Sequence, residues 1–135
     1  MSERMAQQAA RHLAGDDIPP EVRAWLARGL SRYLKGEPLD RALGLTDSDR
    51  KRERNAALCR AAQAMDPDHE LGDWCRAGRL EQGLRRFEAS TWPRVRHTDG
   101  ASLGPYHRAL FDVLQSGAPP VRSQRRIHDL LTRGY

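Results

Sequence analysis

The sequence has no long apolar run and few cysteines, and both absences narrow the class of protein. No segment approaches the roughly 18 apolar residues that a membrane-spanning helix needs, and residues 1–17 lack the apolar stretch of a secretory signal. Cys59 and Cys75 are the only cysteines in the chain. Two thiols without a secretory signal favour small buried hydrophobic side chains in a reducing compartment over a disulfide. We therefore expect a cytoplasmic protein without membrane contact.

The motifs of common enzymes are also missing. The sequence contains no G-x-S-x-G, no P-loop, no G-x-G-x-x-G and no H-E-x-x-H. Its densest group of potential metal ligands consists of Asp66, Asp68, His69, Glu70 and Asp73. Acidic residues also gather at helix starts because the helix dipole favours them there, and no second histidine or cysteine pair completes a known metal-binding spacing. We predict no catalytic residue, no metal and no cofactor, and we keep an enzyme with an unrecognised site as a third hypothesis.

What the sequence does contain is a balance of side chains that folds in water. Hydrophobic residues make up 39% and charged residues 30% of the 135 residues, a composition typical of a globular domain. Apolar residues recur at helical spacing, and no segment alternates as a strand does. We predict an all-α fold, an irregular bundle of about five to seven helices forming one domain over residues 1–135. The thin apolar stripe of residues 1–17 indicates a loosely attached N-terminal helix.

Proline, glycine and capping residues predict where the helices begin and end. We expect helices over residues 3–14, 20–35, 38–44, 46–65, 66–87, 105–116 and 123–133. Residues 90–104 lack a helical period and are predicted to be an irregular connection. The side chains expected in the core include Val22, Trp25, Leu26, Leu30, Tyr33, Leu34, Leu39, Trp74, Cys75, Leu80, Leu84 and Phe87.

The charge of the chain favours an anionic partner. Basic residues number 23 against 18 acidic ones, for a net charge of +5, and only Lys35 and Lys51 among them are lysine. The planar arginine fork suits phosphate better than an ammonium group does. A GC-rich genome, whose codons favour arginine, would also explain the excess.

Two basic segments lie where a helix is predicted to begin. Arg50, Lys51, Arg52 and Arg54 follow one helix start, and Arg122, Arg125 and Arg126 surround Ser123, the predicted cap of another. Backbone N–H groups already make a helix start positive, so cations there are more sensible with an anion bound nearby. Our leading hypothesis is a non-enzymatic accessory or regulatory protein that contacts nucleic acid phosphates through these residues. Alternatively, Asp47, Asp49 and Glu53 neutralise the first segment, and the second is merely a solvated face.

Neither of two common DNA-binding motifs fits these residues well. The segment 39–45 and the Arg50 segment resemble a helix-turn-helix only weakly, because charged residues stand where the second helix should be buried. A basic leucine zipper is excluded because no leucine heptads follow.

A second hypothesis is a protein-binding module, such as a phage-encoded inhibitor or an oligomeric adaptor. Phe87, Trp92, Arg94 and Arg96 mix aromatic and arginine side chains in and beside the predicted connection. Tryptophan and arginine are enriched in interface hot spots.

Three short segments carry a family resemblance. They are LDRALGL (39–45) with the arginine-rich segment after it, FEASTWPR (87–94) and the terminal SQRRIHDLL (123–131). Together they resemble a group of small, uncharacterised proteins from proteobacteria and their prophages. The resemblance implies a bacterial or phage origin and carries no catalytic residue across.

Overall fold

The computed structural model describes residues 2–13 and 17–133. Within these residues every regular element is a helix and none is a strand, which confirms the all-α prediction. The chain divides into two compact units, Met1–Lys51 and Arg52–Tyr135, and each has its own hydrophobic core. The prediction of one domain with a loosely attached first helix stays a prediction.

The first unit consists of short helices whose ends follow local sequence signals. It contains α1 (Ser2–Leu13), α2 (Pro20–Leu34), α3 (Leu39–Ala42) and the beginning of α4 (Asp47–Met65). Pro20 occupies the first position of α2, where its missing N–H costs nothing. Gly44 adopts a φ of 70° directly after α3, a conformation that favours glycine. Residue 14, the predicted end of the first helix, lies outside the described residues.

The core of the first unit is small. Ala9, Val22 and Trp25 are buried, and the Trp25 indole N–H donates to the carbonyl oxygen of Leu43 at 3.0 Å. In the second half of α2 the buried residue is Gly29, which lies against the Leu43 side chain. The prediction that the apolar face of α2 is buried is wrong for Leu30, Tyr33 and Leu34, and wrong also for Leu39 in α3, all of which are exposed. Periodicity marks a helix face, but burial requires a neighbour, and the buried apolar side chains of α2 lie in its first half.

The second unit holds the larger core. After the remainder of α4 come α5 (Asp73–Arg86), a π-helical turn (Phe87–Thr91), α6 (Trp92–Val95), α7 (Pro105–Gln115) and α8 (Gln124–Arg133). Helix α5 packs against α8, where the Gln124 side-chain amide donates to the carbonyl oxygen of Trp74 at 2.9 Å. The fully or nearly fully buried apolar residues are Ala57, Leu58, Ala61, Ala62, Ala77, Leu80, Leu84, Phe87, Ala109, Leu110, Phe111, Val113, Val121 and Ile127.

Helix α5 begins later than the sequence predicts. Asp66 does not cap it. Its carboxylate instead accepts the backbone N–H groups of Glu70 and Leu71 at 2.9 and 3.0 Å and so closes a turn before the helix. Trp74 and Cys75 are exposed, so their predicted burial is also wrong. The buried residues of α5 are Arg76, Ala77, Leu80 and Leu84, so its buried face begins only after Cys75.

The predicted connection 90–104 is helical in its first part, which corrects the sequence prediction. The chain continues from α5 through the π-helical turn into α6, and the irregular part begins only after Val95. A π-helical turn spaces hydrogen-bonded residues five apart instead of four. The buried Phe87 and the half-buried Trp92 have this spacing, so a search for the ordinary helical period does not detect the segment.

Candidate nucleic-acid interface

Both basic segments lie at helix starts, as predicted. The Thr46 hydroxyl accepts the backbone N–H of Asp49 at 3.1 Å, and the Asp49 carboxylate accepts that of Thr46 at 3.3 Å. This reciprocal cap begins α4. The Ser123 hydroxyl accepts the backbone N–H of Arg126 at 3.2 Å and begins α8. The predicted cap Ser123 is thereby confirmed, and of the two caps that the sequence allows for α4, Thr46 and Ser48, the structure shows Thr46.

Two of the predicted site residues are paired with the protein's own carboxylates. Arg50 lies 3.2 Å from Glu3 in the first unit, and Arg122 lies 3.0 Å from Glu88 in the second. An anion that bound either guanidinium would compete with an existing partner. Internal acids therefore neutralise both arginines, although neither Glu3 nor Glu88 was among the acids that the sequence alternative named.

Arg54 is buried, although the sequence analysis expects it among the residues that contact phosphates. Only 5% of Arg54 is exposed. Its Nε and Nη2 donate to the side-chain oxygen of Asn55 at 3.1 and 2.9 Å, and its Nη1 donates to the carbonyl oxygen of Pro119 at 2.8 Å. The last bond ties α4 to the segment before α8. All of these acceptor oxygens are uncharged, so the hydrogen bonds are satisfied while the positive charge is not neutralised.

The two basic segments meet at Arg54 and Arg126. Burial lowers the pKa of Arg54 from its ordinary value, and the positive charge of Arg126 lowers it further. The exposed Arg126 is therefore a second positive charge near the buried guanidinium of Arg54, and its neighbour Arg125 is exposed as well. Lys51 and Arg52 are also exposed. Arg54 of the first basic segment and Arg126 of the second therefore lie near each other within the second unit.

The aromatic residues of the predicted protein-binding loop belong to the core, which corrects that expectation. Phe87 is 3% exposed. Trp92 is half-buried, with its ring centroid 5.5 Å from that of Phe111. Both are drawn inward because the segment is helical. Arg94 and Arg96 are exposed, and the Arg94 Nε donates to the carbonyl oxygen of Ser90 at 3.3 Å.

The acidic segment 66–73 serves a structural purpose. Burial by itself raises the pKa of Asp66, but the hydrogen bonds from Leu71 and Glu70, with the charge of Arg76, hold it below its ordinary value. Arg76 is 5% exposed, and its guanidinium lies 3.5 Å from the Asp66 carboxylate. Among the described residues, no three histidine, cysteine, aspartate or glutamate side chains are placed so that they could hold a metal ion together.

Sequence reasoning missed a cleft in the second unit. It has a volume of about 400 Å³ and lies among α5, the π-helical turn and α7, with Arg79 and Arg86 at its edge. These arginines are seven residues apart, a spacing that places both on one side of a helix. The spacing of the two arginines is visible in the sequence. The cleft itself is not, because it is also lined by hydroxyl groups and rings from segments distant in sequence.

No protein-family model matches the chain, and no curated protein or solved structure shows significant similarity to it. The resemblance to small proteobacterial and prophage proteins stays a prediction. Among the helices of residues 2–13 and 17–133, none has the length and apolar character needed to cross a membrane.

Proposed function

We propose that the second unit binds nucleic acid through the phosphate backbone, with Arg125 and Arg126 as the contacting residues, and acts as a non-enzymatic accessory or regulatory protein. The observation that carries this proposal is the buried guanidinium of Arg54, which has uncharged hydrogen-bond acceptors and lies beside a second cation.

Electrostatics supports an anion at this place. Two like charges close together, one of them buried, repel each other more strongly than they would in water. The first N–H groups of α8 add to the positive potential because they lack intrahelical acceptors. A phosphate near Arg126 would relieve the repulsion and accept hydrogen bonds from guanidinium and backbone donors together.

The test is the affinity for a short DNA duplex across a salt series, measured by fluorescence anisotropy. The slope of log affinity against log salt is negative, and each lost phosphate contact makes it shallower by about 0.9. Replacing both contacting residues (Arg125→Gln with Arg126→Gln) should therefore make the slope shallower by about two such steps and weaken binding at low salt.

A matched control removes the same charge elsewhere in the second unit. Arg85 pairs with Glu81 on α5, and Arg133 lies exposed at the other end of α8. The double variant Arg85→Gln with Arg133→Gln should keep most of the affinity. Equal losses in both double variants, or no binding by the unaltered protein at low salt, would contradict the proposal.

A second candidate function, binding of another protein, is favoured by the first unit. Leu30, Tyr33, Leu34 and Leu39 are between 44% and 83% exposed. Exposed apolar groups of this kind are typical of interaction surfaces. The simplest case is a second copy of the chain, so the test is the molar mass in solution over a range of concentrations, for the unaltered protein and for Leu30→Lys with Leu34→Lys. A monomer at every concentration would exclude self-association.

A further inference from the structure

The cleft in the second unit has the size of a small-molecule site. Its volume is about 400 Å³, and pockets that bind small ligands usually fall between about 300 and 1,000 Å³. Helix α5 forms one wall, the π-helical turn forms the end and α7 forms the opposite wall. Its apolar surface comes from Met65, Phe87 and the ring of Tyr106.

The charge of the lining is positive. Arg79 and Arg86 both line the cleft, and no aspartate or glutamate does. In the described part of the chain neither arginine has a carboxylate partner, whereas Arg85, the neighbour of Arg86 on the same helix, pairs with Glu81 outside the cleft. Two turns of helix separate Arg79 from Arg86, about 10 Å along the axis, and both side chains are long enough to reach a group held between them.

Uncharged hydrogen-bonding groups face the same space. Ser90 and Thr91 of the π-helical turn and Tyr106 and His107 of α7 all line the cleft. Burial raises the pKa of Tyr106, so its phenol is protonated at neutral pH and is able to donate. The His107 ring lies 6.0 Å from Phe87 in a stacked arrangement and 5.4 Å from Tyr106 edge-on, which orders the aromatic wall.

Local backbone features maintain this arrangement. A side chain at Gly83 would collide with the Tyr106 hydroxyl, so the glycine leaves room for the phenol against α5. The π-helical turn is a rare element that occurs often at functional sites, and here it supplies Phe87, Ser90 and Thr91 to the lining.

We infer that this cleft is a binding site for a small organic phosphate, with Arg79 and Arg86 holding the phosphate and the apolar wall holding the organic part. A phosphate monoester carries between one and two negative charges and three acceptor oxygens, which matches two arginines with the hydroxyl groups of Thr91 and Tyr106 beside them. A carboxylate has a single negative charge, which would balance the charge of only one arginine. The site is independent of the proposed nucleic-acid surface, since the two share no residue.

The experiment titrates the full-length protein with adenosine 5′-monophosphate, inorganic phosphate and adenosine. Binding is followed by calorimetry and by the NMR shifts of Tyr106 and His107. We expect the monophosphate to bind most tightly and to shift both residues. Arg79→Gln and Arg86→Gln should each weaken binding about ten- to a hundredfold, the range for loss of a hydrogen bond to a charged group. Circular dichroism establishes that each variant is folded.

Two controls separate this site from the surface of α8. Arg85→Gln removes an adjacent positive charge outside the cleft and should leave the affinity for the monophosphate unchanged. Arg125→Gln with Arg126→Gln should also leave it unchanged, while Arg79→Gln should leave the affinity for duplex DNA unchanged.

Several outcomes would overturn the inference. They are no binding by the unaltered protein, equal affinity for inorganic phosphate and the monophosphate, shifts that miss Tyr106 and His107, and an equal loss of affinity in Arg85→Gln. Failure of the DNA experiment alone would leave the cleft unaffected, because different variants report on the two sites.

Discussion

The two units bury their apolar residues to different extents. In the second unit, large side chains from four helices, such as Leu58, Leu80, Phe111 and Ile127, have essentially no exposed surface. In the first unit the buried set is Ala9, Val22, Trp25 and Ala42, while Leu34 is 83% exposed. Most of the stabilisation from hydrophobic burial therefore belongs to residues 52–135, since it scales with the apolar area removed from water.

The units also differ in how they accommodate a cation on α4. Arg50 in the first unit pairs with the carboxylate of Glu3, and Arg54 in the second is buried against uncharged oxygens. The same helix thus carries one arginine paired with a carboxylate and one whose hydrogen-bond acceptors are uncharged.

The largest expected effect tests the difference between the cores. Leu58→Ala should lower the free energy of unfolding by about 2–5 kcal/mol, because it opens a cavity among fully buried side chains. The same change at Leu34 should alter stability by less than about 0.5 kcal/mol. Urea denaturation followed by circular dichroism measures both. Similar losses at the two positions would contradict the described difference in burial.

The next comparison concerns the two arginines of α4. Arg54→Met should cost about 1–3 kcal/mol, because it leaves the oxygens of Asn55 and Pro119 without their donor. Arg50→Met removes a partly exposed ion pair and should cost less than about 1 kcal/mol. Urea denaturation measures the free energy of unfolding of both variants. A larger loss in Arg50→Met than in Arg54→Met would contradict the prediction.

The pH dependence of stability tests the turn before α5. The pKa of Asp66 is lowered in the folded state, so the folded protein binds its proton less readily than the unfolded chain. The stabilisation is complete above the ordinary aspartate value of about 3.9 and is lost as the pH falls through the lower folded value. Asp66→Asn should be less stable at neutral pH and should lose less stability on acidification. If the free energy of unfolding had the same pH dependence in the unaltered protein and in Asp66→Asn, ionised Asp66 would make no contribution to stability.

The smallest effect sharpens the assignment of the nucleic-acid surface. Glu88→Gln frees Arg122 in the second unit, and Glu3→Gln frees Arg50 in the first, with the same change in net charge. If phosphate binds at the start of α8, Glu88→Gln should raise the affinity for duplex DNA about two- to fivefold, in keeping with the modest energy of an exposed ion pair. Glu3→Gln should change it less. A larger increase in Glu3→Gln would move the interface to the first unit.

The sequence predicts helix starts correctly where interactions within one turn of the backbone set them. Pro20, Thr46, Pro105 and Ser123 mark helix starts correctly, because caps and prolines act within one turn of the backbone. The segment after Phe87 was misjudged because its π-helical turn breaks the period used to detect helices. The predicted start of α5 is wrong because the Asp66 carboxylate accepts the N–H groups of Glu70 and Leu71 and closes a turn, whereas a helix cap would accept those two or three residues further on.

The candidate sites were only partly predictable. The arginines near both helix starts were visible as charges, but their pairing was not. Arg54 differs from Arg50 only through its neighbours, Asn55 and the distant Pro119. The cleft was not predicted because it combines the residues of α5 with Ser90 and the rings of α7.

The amino-acid order alone determined that this chain is helical, where most of its helices begin and that it carries an excess of arginine, since each of these follows from interactions between residues close along the chain. The tertiary structure decided which arginines keep an unneutralised charge, which apolar faces find a neighbour and where the cleft opens. Those outcomes depend on distances between residues far apart in sequence, and burial and charge neutralisation are properties of such distances.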